Sequence, residues 1–348
     1  MSFNTYIGWD IGGAHLKMAS INHAGAVNFV NQLATPLWKG LDSLEYAISE
    51  MHKQITEDSV THTITMTAEL ADIFKDRKSG VKQLTRFLGS HFDKEDFQLY
   101  AGNSGLIKAD EANSYITDIA SANWHATASF VAQNIDEGVL IDIGSTTTDI
   151  IPFASGQLLN TAYTDHERLR ENELVYTGII RTPVMAVVNK IFCDGQWQNI
   201  ATENFSTMSD IYRLTGELNE LDDMMPTADG AGKRPRDSAR RLARMVGLDL
   251  EDENDIHPFV EMAKHITDSH LQIINESLSR VLSRGESKRT KCLVAAGAGR
   301  FLVRKLASKN NLKYIDFTDF LSYPKQEEHK VLSCATAVSV AQIARAVS

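Results

Sequence analysis

The sequence has little cysteine and no long apolar run. Its 348 residues include only three cysteines, Cys193, Cys292 and Cys334, which lie far apart and have no CxxC spacing. This spacing excludes a disulfide framework and a zinc site of the usual kind, and it favours reduced, mostly buried thiols in a cytoplasmic protein. No stretch of about 20 uninterrupted apolar residues occurs, so we expect no membrane span.

Positive charge is also scarce. Lysine and arginine together number 35 against 45 aspartates and glutamates, which gives a formal net charge of −10. This balance argues against a general nucleic-acid binder, because phosphate backbones are bound through excess positive charge. We expect no signal peptide, since Asp10 interrupts the first apolar run and no basic segment precedes it. The length favours two domains over one.

Two similar stretches stand out in what is present, at residues 7–21 (IGWDIGGAHLKMASI) and 139–153 (VLIDIGSTTTDIIPF). In each, an apolar run ends in Asp-Ile-Gly and a second β-like run follows, which predicts a hairpin with a glycine-rich turn. We expect Gly12, Gly13 and Gly144 to let the turns take positive φ values and to leave backbone N–H groups bare. An anionic phosphate can then approach those groups.

The residues around the two turns suit phosphate and metal binding. Asp10 and Asp142 end their strands, where each can hold a Mg²⁺ or Mn²⁺ ion that also binds the phosphate. Further polar groups follow the turns: Lys17 after the first, and Ser145, Thr146, Thr147, Thr148 and Asp149 after the second. A purely structural alternative has the glycines making tight turns that the aspartates cap. The recurrence of these groups in two places favours phosphate binding.

The rest of the chain reads as alternating strands and helices. Apolar periodicity predicts helices at 43–57, 78–91, 110–134 and 331–346, and strands at 62–67, 97–100 and 313–317. Residues 139–192 read as strands and turns, and the composition becomes helical between about 205 and 285. Residues 291–303 (KCLVAAGAGRFLV) predict a strand that enters a glycine turn and then a helix.

The order of these motifs resembles that of the actin, Hsp70 and sugar-kinase superfamily. There the two hairpin turns are phosphate loops, and Ala-Ala-Gly-Ala-Gly at residues 295–299 corresponds to the adenosine loop. The resemblance implies an α/β fold of two ribonuclease-H-like lobes with a central cleft. On this view residues 1–125 form the first lobe, and residues 126–348 form the second lobe with a helical insertion at about 205–285 and a C-terminal helix.

Within that superfamily the chain resembles the hydantoinase/oxoprolinase-related branch, and in it the enzymes of methanofuran and tetrahydromethanopterin-linked one-carbon metabolism. This closer likeness rests on five segments: DIGGAHLK (10–17), SANWHATA (121–128), DIGSTTTDI (142–150), YTGIIRTPV (176–184) and ARRLARMVG (239–247). It implies a transferase that joins an (aminomethyl)furfuryl diphosphate to the phenol of a glutamylated tyramine or tyrosine acceptor. The products are an ether and diphosphate, and ATP is not needed.

The chemistry of this reaction suggests roles for particular residues. Asp10 and Asp142 would hold the metal, Lys17 would help to neutralise the leaving diphosphate, and Asp149 is our preferred general base for the phenol proton. The predicted phosphate- and substrate-binding set is Gly12, Gly13, Gly144, Ser145, Thr146, Thr147, Arg181, Arg240, Gly297 and Gly299.

Several charged and aromatic side chains have competing explanations. Arg181 can clamp a phosphate or carboxylate, or form a surface ion pair. A basic cluster can receive the diphosphate or an acidic acceptor tail, or form a solvated helix face. Its members are Lys233, Arg234, Arg236, Arg240, Arg241 and Arg244.

Histidines offer two more candidates. His125, beside Trp124, can line the acceptor pocket, although a packed histidine is favoured. His257, Glu261 and His265 share a helical face, but no fourth ligand or HExxH spacing supports a metal site, so a solvated face is favoured.

Two other functions use the same motifs. An ATP-dependent small-molecule kinase, or a hydantoinase/oxoprolinase-like enzyme, would need an adenosine pocket beside Gly297 and Gly299. A nucleotide-switched scaffold of the actin or Hsp70 kind ranks third, because the chain lacks the appendages expected of one. The partners expected for the transferase are a small-molecule diphosphate and a phenolic acceptor, with no nucleic acid and no membrane; a homo-oligomer is left open.

Overall fold

The computed structural model describes residues 5–57, 59–92, 97–193, 195–250 and 255–348. The chain divides into two compact units. The first unit comprises Met1–Glu137, Phe153–Leu158 and Asp316–Ser348, and the second comprises Gly138–Pro152 and Leu159–Ile315. This division differs from the predicted one in two ways. The first unit extends beyond residue 125, and it also includes the C-terminal segment Asp316–Ser348.

The bounds of the elements follow in chain order. The strands are β1 (Thr5–Ile11), β2 (His15–Ile21), β3 (Val27–Ala34), β4 (Val60–Met66), β5 (Phe97–Tyr100), β6 (Leu106–Lys108), β7 (Glu137–Ile143), β8 (Thr148–Ala154), β9 (Gln157–Leu158), β10 (Leu174–Val175), β11 (Lys190–Cys193), β12 (Gln196–Asn199), β13 (Cys292–Ala296) and β14 (Lys313–Asp316). The helices are α1 (Asp42–His52), α2 (Arg77–Leu88), α3 (Ile116–Ile119), α4 (Asn123–Asn134), α5 (Asp165–Glu171), α6 (Met208–Leu214), α7 (Pro235–Met245), α8 (His257–Leu282), α9 (Arg300–Lys309), α10 (Glu328–Ser333) and α11 (Ala335–Val347).

The first unit is built on a six-stranded sheet of order β3-β2-β1-β4-β5-β6. Strand β1 pairs antiparallel with β2 and parallel with β4, which is itself parallel to β5. Ile7, Trp9 and Ile11 of β1 pack with α1 and α2 in one hydrophobic cluster. The other face of β1 receives α11, and a side chain at Gly8 would overlap the carbonyl of Ala337. Glycine at this position therefore lets the helix backbone lie directly on the strand.

The second unit repeats this layout. Its sheet has the order β10-β8-β7-β13-β14, so the hairpin β7–β8 takes the place of β1–β2, and β13 takes that of β4. Strand β13 is parallel to β7, as β4 is to β1. The predicted helical insertion is present as α6, α7 and α8, whose apolar faces share one core with β7 and β13. Residues 251–254 of that insertion lie outside the described residues.

Two predicted helices are interrupted. The continuous helix predicted at 110–134 is wrong, because Ser121 has a left-handed φ of 54° and separates α3 from α4. The hydroxyl of Ser121 donates a hydrogen bond to Oε1 of the buried Glu69 at 2.8 Å, which holds the break in place. The helix predicted at 331–346 likewise consists of α10 and α11, which meet at Cys334.

A short helix was also missed. Residues 139–192 were predicted as strands and turns, but α5 begins at Asp165 with a capping box in which Thr164 and Glu167 bond to each other's backbone N–H groups. Such a box is a sequence signal for a helix start.

Within the described residues, no single helix has the length and apolar composition to cross a membrane. One bent pair, Lys325–Ser333 with Ala335–Val347, reaches that threshold by length and composition taken together.

Candidate phosphate-binding turns

The first turn joins β1 to β2 and carries an acid opposite a base. The N–H of Gly12 donates to the carbonyl oxygen of His15 at 2.9 Å, which closes the turn. Asp10 pairs with Lys17 across the hairpin, and Lys17 Nζ lies 3.6 Å from Asp10 Oδ2. The sequence predicted this hairpin, and the structure confirms its strands and turn.

The carboxylate of Asp10 is buried, with one oxygen left without a hydrogen bond. Among the described residues nothing donates to Oδ1 of Asp10 or to the buried hydroxyl of Thr65, which stands opposite Asp10 on β4. Burial raises the pKa of the Asp10 carboxyl, although the nearby Lys17 ammonium opposes the shift. A buried carboxylate oxygen that lacks a donor is costly unless something binds it, so Asp10 is suited to a cation.

The expected role of the turn glycines is wrong in one respect. Neither Gly12, Gly13 nor Gly144 has a positive φ. A side chain at Gly12 would lie 3.0 Å from the His15 carbonyl, whereas one at Gly13 would meet no atom within 4 Å. Glycine therefore relieves crowding at Gly12 and leaves the backbone of Gly13 open to a ligand.

The second turn joins β7 to β8 and carries two acids. The N–H of Gly144 donates to the carbonyl oxygen of Thr147 at 2.9 Å. Continuing this antiparallel pairing places Asp142 opposite Asp149, at the positions that Asp10 and Lys17 occupy in the first hairpin. Like charges directly opposite each other destabilise a hairpin unless a cation is near.

Arg168 supplies positive charge to this pair. Its Nη2 atom donates to Oδ1 of Asp149 at 2.6 Å and to the carbonyl of Glu173 at 3.1 Å. The Arg168 side chain is only 2% exposed and that of Asp149 is 13% exposed. Burial raises the pKa of the Asp149 carboxyl, and Arg168 opposes the shift. Arg168 was not identified from the sequence, because its partner lies 19 positions away.

Three glycines press against the second turn. A side chain at Gly178 would lie 2.6 Å from the carbonyl oxygens of Gly144 and Ser145. Side chains at Gly297, whose φ is 76°, and at Gly299 would overlap Asp142 and Ile143. Gly297 and Gly299 thus have a packing role beside strand β7, and their predicted role in binding substrate stays a prediction. Gly178 was not singled out from the sequence, although it lies in the segment YTGIIRTPV.

The segment that follows Gly178 covers the carbonyl side of the turn. The N–H of Ile179 donates to the Gly144 carbonyl at 3.1 Å, and those of Ile180 and Arg181 donate to the Ser145 carbonyl at 3.2 and 2.9 Å. The side chain of Arg181 is exposed. No donor or acceptor in the described part of the chain bonds the buried Ser145 hydroxyl.

The basic cluster on α7 is not one surface. Arg241 is fully buried, and it donates to Asp210 at 2.6 Å and to Asp229 at 3.0 Å. The expectation that Arg241 faces solvent or substrate is therefore wrong, because Asp210 of α6 neutralises it inside the second unit. Arg240 is about one-third exposed and lies 3.6 Å from Asp237, so its binding role stays a prediction.

Two of the histidine candidates, His125 and His257, behave as the simpler explanations predict. His125 is buried, with Nδ1 2.7 Å from the Tyr100 hydroxyl and Nε2 2.8 Å from Asn103 Oδ1, which confirms a packed histidine. His257 lies on the exposed start of α8, and its side chain is 80% exposed. No group of three or more potential metal ligands is found within the described ranges.

Known proteins resemble this chain over most of its length. The hydantoinase/oxoprolinase family model matches residues 60–344. Over 279 residues the chain is 34% identical to (4-{4-[2-(gamma-L-glutamylamino)ethyl]phenoxymethyl}furan-2-yl)methanamine synthase of Methanocaldococcus jannaschii, covering 80% of this chain and 82% of that protein. It is also 34% identical over 186 residues to the synthase of the same name from Methanococcus vannielii. That alignment covers 52% of this chain and 80% of that protein.

A solved structure supports the fold alone. A ROK family glucokinase from Streptomyces griseus, in complex with glucose and AMPPNP, aligns with a TM-score of 0.50 at 13% identity. The alignment covers 98% of this chain and 99% of the glucokinase. The predicted α/β fold of two lobes is confirmed.

Proposed function

The chain belongs to the hydantoinase/oxoprolinase family, and from that premise we propose that it is an ether-forming transferase. The reaction joins an (aminomethyl)furfuryl diphosphate to the phenol of a γ-glutamylated tyramine-type acceptor and releases diphosphate, as a step in making a methanofuran-type one-carbon carrier. The prediction of an enzyme is confirmed, because both curated relatives are synthases.

One observation carries this proposal: 34% identity to the synthase from M. jannaschii over 80% of the chain and 82% of that relative. The name of that relative describes a product in which a phenoxy oxygen is joined to a furan-methyl carbon. Such an ether forms when a phenol displaces a leaving group from that carbon. Two turns with phosphate-binding features suit a diphosphate as the leaving group.

Departure of the diphosphate requires that its growing negative charge be neutralised. At the first turn, the open backbone of Gly13 and the ammonium of Lys17 are suited to that task. At the second turn, the hydroxyls that follow Gly144 are suited to it. Asp10, with its buried oxygen, would hold Mg²⁺ or Mn²⁺ at the first turn, and Asp142 would do so at the second. The ion would supply further positive charge to the diphosphate when bound.

The phenol must lose its proton as the new bond forms, because an unperturbed phenol has a pKa near 10. Asp149 is the proposed acceptor of that proton. Its side chain is 13% exposed, and the hydrogen bond from Arg168 to Oδ1 fixes its orientation. The phenol oxygen then bonds to the furan-methyl carbon, the carbon–oxygen bond to the diphosphate breaks, and the leaving group takes that electron pair.

An ATP-dependent activity has no specific observation in its favour. The glucokinase likeness at 13% identity concerns the fold. Gly297 and Gly299 are accounted for by close packing against Asp142 and Ile143, so they do not by themselves indicate an adenosine pocket. The proposal also includes a cytoplasmic location, in keeping with three cysteines that form no disulfide in the described part of the chain. The proposed partners are small molecules.

The deciding experiment supplies the purified protein with an (aminomethyl)furfuryl diphosphate, γ-glutamyltyramine and Mg²⁺, and follows the ether by mass spectrometry. We expect ether and diphosphate in equal amounts without ATP. Parallel reactions omit the metal or replace the diphosphate by the alcohol plus ATP. Product formed only from the alcohol plus ATP would contradict the proposal and favour a kinase-type reaction.

A further inference from the structure

A buried chain of hydrogen bonds links the helical insertion to the second turn. The hydroxyl of Tyr212 on α6 lies 2.6 Å from Nδ1 of His270 on α8, and Nε2 of His270 lies 2.8 Å from Oγ1 of Thr177. Tyr212 and His270 are fully buried, and Thr177 is 5% exposed. The chain crosses 58 and 93 positions of sequence in its two bonds, so it joins elements that are far apart along the polypeptide.

The direction of these bonds follows from the chemistry of the histidine. Burial lowers the pKa of His270 to about 4, so the ring is neutral near pH 7 and carries one N–H. The Tyr212 hydroxyl has no other hydrogen bond within the described residues, so its proton is satisfied only if it donates to Nδ1. His270 therefore donates from Nε2 to the Thr177 hydroxyl.

Thr177 connects these hydrogen bonds to the second turn. Its carbonyl accepts a hydrogen bond from the Thr148 hydroxyl at 2.8 Å, and Thr148 begins strand β8 directly after the turn. The next residue is Gly178, whose N–H donates to Thr182 Oγ1 at 2.8 Å. Residues 179–181, whose N–H groups bond the carbonyls of Gly144 and Ser145, lie between Gly178 and Thr182 in the sequence.

We propose that Tyr212, His270 and Thr177 are positioning residues that hold the 176–182 segment against the second turn and so fix the turn for its ligand. The segment occupies the carbonyl side of the turn, which leaves the opposite side, with its N–H and hydroxyl groups, for an anion. A turn held in advance loses less freedom when the anion binds. This inference rests on the proposed function only in naming diphosphate as that anion.

The structure provides a matched control in the first unit. The Tyr100 hydroxyl lies 2.7 Å from Nδ1 of His125, and Tyr100 is 3% exposed. Tyr100→Phe therefore removes a buried tyrosine–histidine hydrogen bond of similar length in the other unit, together with a longer bond to Ser129 Oγ at 3.4 Å. Thr177→Val removes the hydroxyl with little change in shape, and Thr177→Ser keeps it.

The first measurement is amide hydrogen exchange at Ile179, Ile180 and Arg181, which needs no substrate. We expect Tyr212→Phe and Thr177→Val to speed exchange at these amides about fivefold, the factor expected for one neutral hydrogen bond. Thr177→Ser and Tyr100→Phe should leave it within twofold of the unaltered protein. Unchanged exchange in both Tyr212→Phe and Thr177→Val would overturn the inference.

The second measurement is calorimetric binding of inorganic diphosphate with Mg²⁺, alongside the melting temperature of each variant. Tyr212→Phe and Thr177→Val should weaken binding about fivefold, and Thr177→Ser should restore it. Tyr100→Phe should lower the melting temperature by a similar amount without weakening diphosphate binding. If Tyr100→Phe weakens binding as much as Tyr212→Phe does, the effect is one of general stability and the inference is overturned. If the unaltered protein binds no diphosphate, the proposed function fails, while the exchange result still decides the inference.

Discussion

The two hairpin turns share a closing hydrogen bond but differ in the charge opposite the strand-end aspartate. In the first, Asp10 faces Lys17, so the hairpin carries its own counter-charge. In the second, continuing the pairing beyond Gly144 and Thr147 places Asp142 opposite Asp149, and Arg168 of a separate helix donates to Asp149. The same hairpin geometry thus carries an acid opposite a base in the first turn and two acids in the second.

The turns also differ in how they are supported. A side chain at Gly13 would meet open space, whereas the backbones of Gly178, Gly297 and Gly299 pack closely against the second turn. A turn held on several sides keeps its donors oriented before a ligand arrives, which is what electrostatic stabilisation of a leaving group requires. We therefore expect substitutions in the second turn to lower both stability and the rate of reaction, and substitutions in the first turn to weaken ligand binding.

The largest effect is expected from Asp149→Asn, because an amide cannot accept the phenol proton. We expect kcat for ether formation to fall by about 10²–10⁴, the range for loss of a general base, while diphosphate binding stays largely intact. Rapid-quench product analysis and calorimetry measure the two quantities on the same variant. Full activity of the variant would remove Asp149 from the mechanism and leave it as the partner of Arg168.

Alanine in place of glycine separates the two turns by stability. Gly297→Ala should destabilise the protein by roughly 3–5 kcal/mol, because the residue has a positive φ and its new methyl group overlaps Asp142 and Ile143. Gly13→Ala should cost less than about 1 kcal/mol, since no atom lies within 4 Å of the added methyl group. Urea unfolding measures both, and equal losses would refute the contrast in packing.

Acid should weaken both units in the same pH window. Burial lowers the pKa of His62 in the first unit and of His270 in the second to about 4, and His52 adds to the shift at His62. The unfolded chain binds these protons below about pH 6.5. The contribution of the two neutral histidines to the free energy of unfolding is therefore complete above that pH and is lost as the pH falls toward 4. Each histidine accounts for up to about 3 kcal/mol of this loss.

Urea unfolding at pH 7 and at pH 4.5 tests this prediction, with His62→Gln and His270→Gln as the variants. Each substitution should flatten the pH dependence, even where it lowers stability at pH 7. An unchanged pH dependence in both variants would show that other groups cause the acid sensitivity.

The smallest effect is expected from Lys17→Met, which removes the counter-charge of the first turn. Diphosphate affinity should fall about tenfold, in the range of one hydrogen bond to a charged group, and kcat at saturating substrate should change little. Kinetics at varied diphosphate concentration separate the two constants. A large fall in kcat with an unchanged KM would place Lys17 in the chemical step and erase its difference from Asp149.

The sequence predicted what is local and missed what depends on distant partners. Both hairpins and the helices of the insertion follow from apolar patterns that span a few residues. The break at Ser121 depends on Glu69, which lies 52 positions away. The burial of Arg241 depends on Asp210, which lies 31 positions away. No pattern in a single sequence reveals such pairs, because they are fixed only when the elements pack.

For the site, the same limit applies. The motif residues are found from their spacing, but their supports are not: Gly178 is indistinguishable from other glycines until its approach to the turn is seen. Its one available signal was its place in the segment that carries the family likeness.

The return of residues 316–348 to the first unit reverses the order in which the two halves are completed on the ribosome. The second unit ends at Ile315, so all of its residues have been synthesised before α11 is made. The first unit begins with the N-terminal strand, but the face of β1 at Gly8 waits for Ala337 and its helix, more than 300 positions later. The half that starts first therefore finishes last, because α11 covers one face of its sheet only after the second unit has been synthesised.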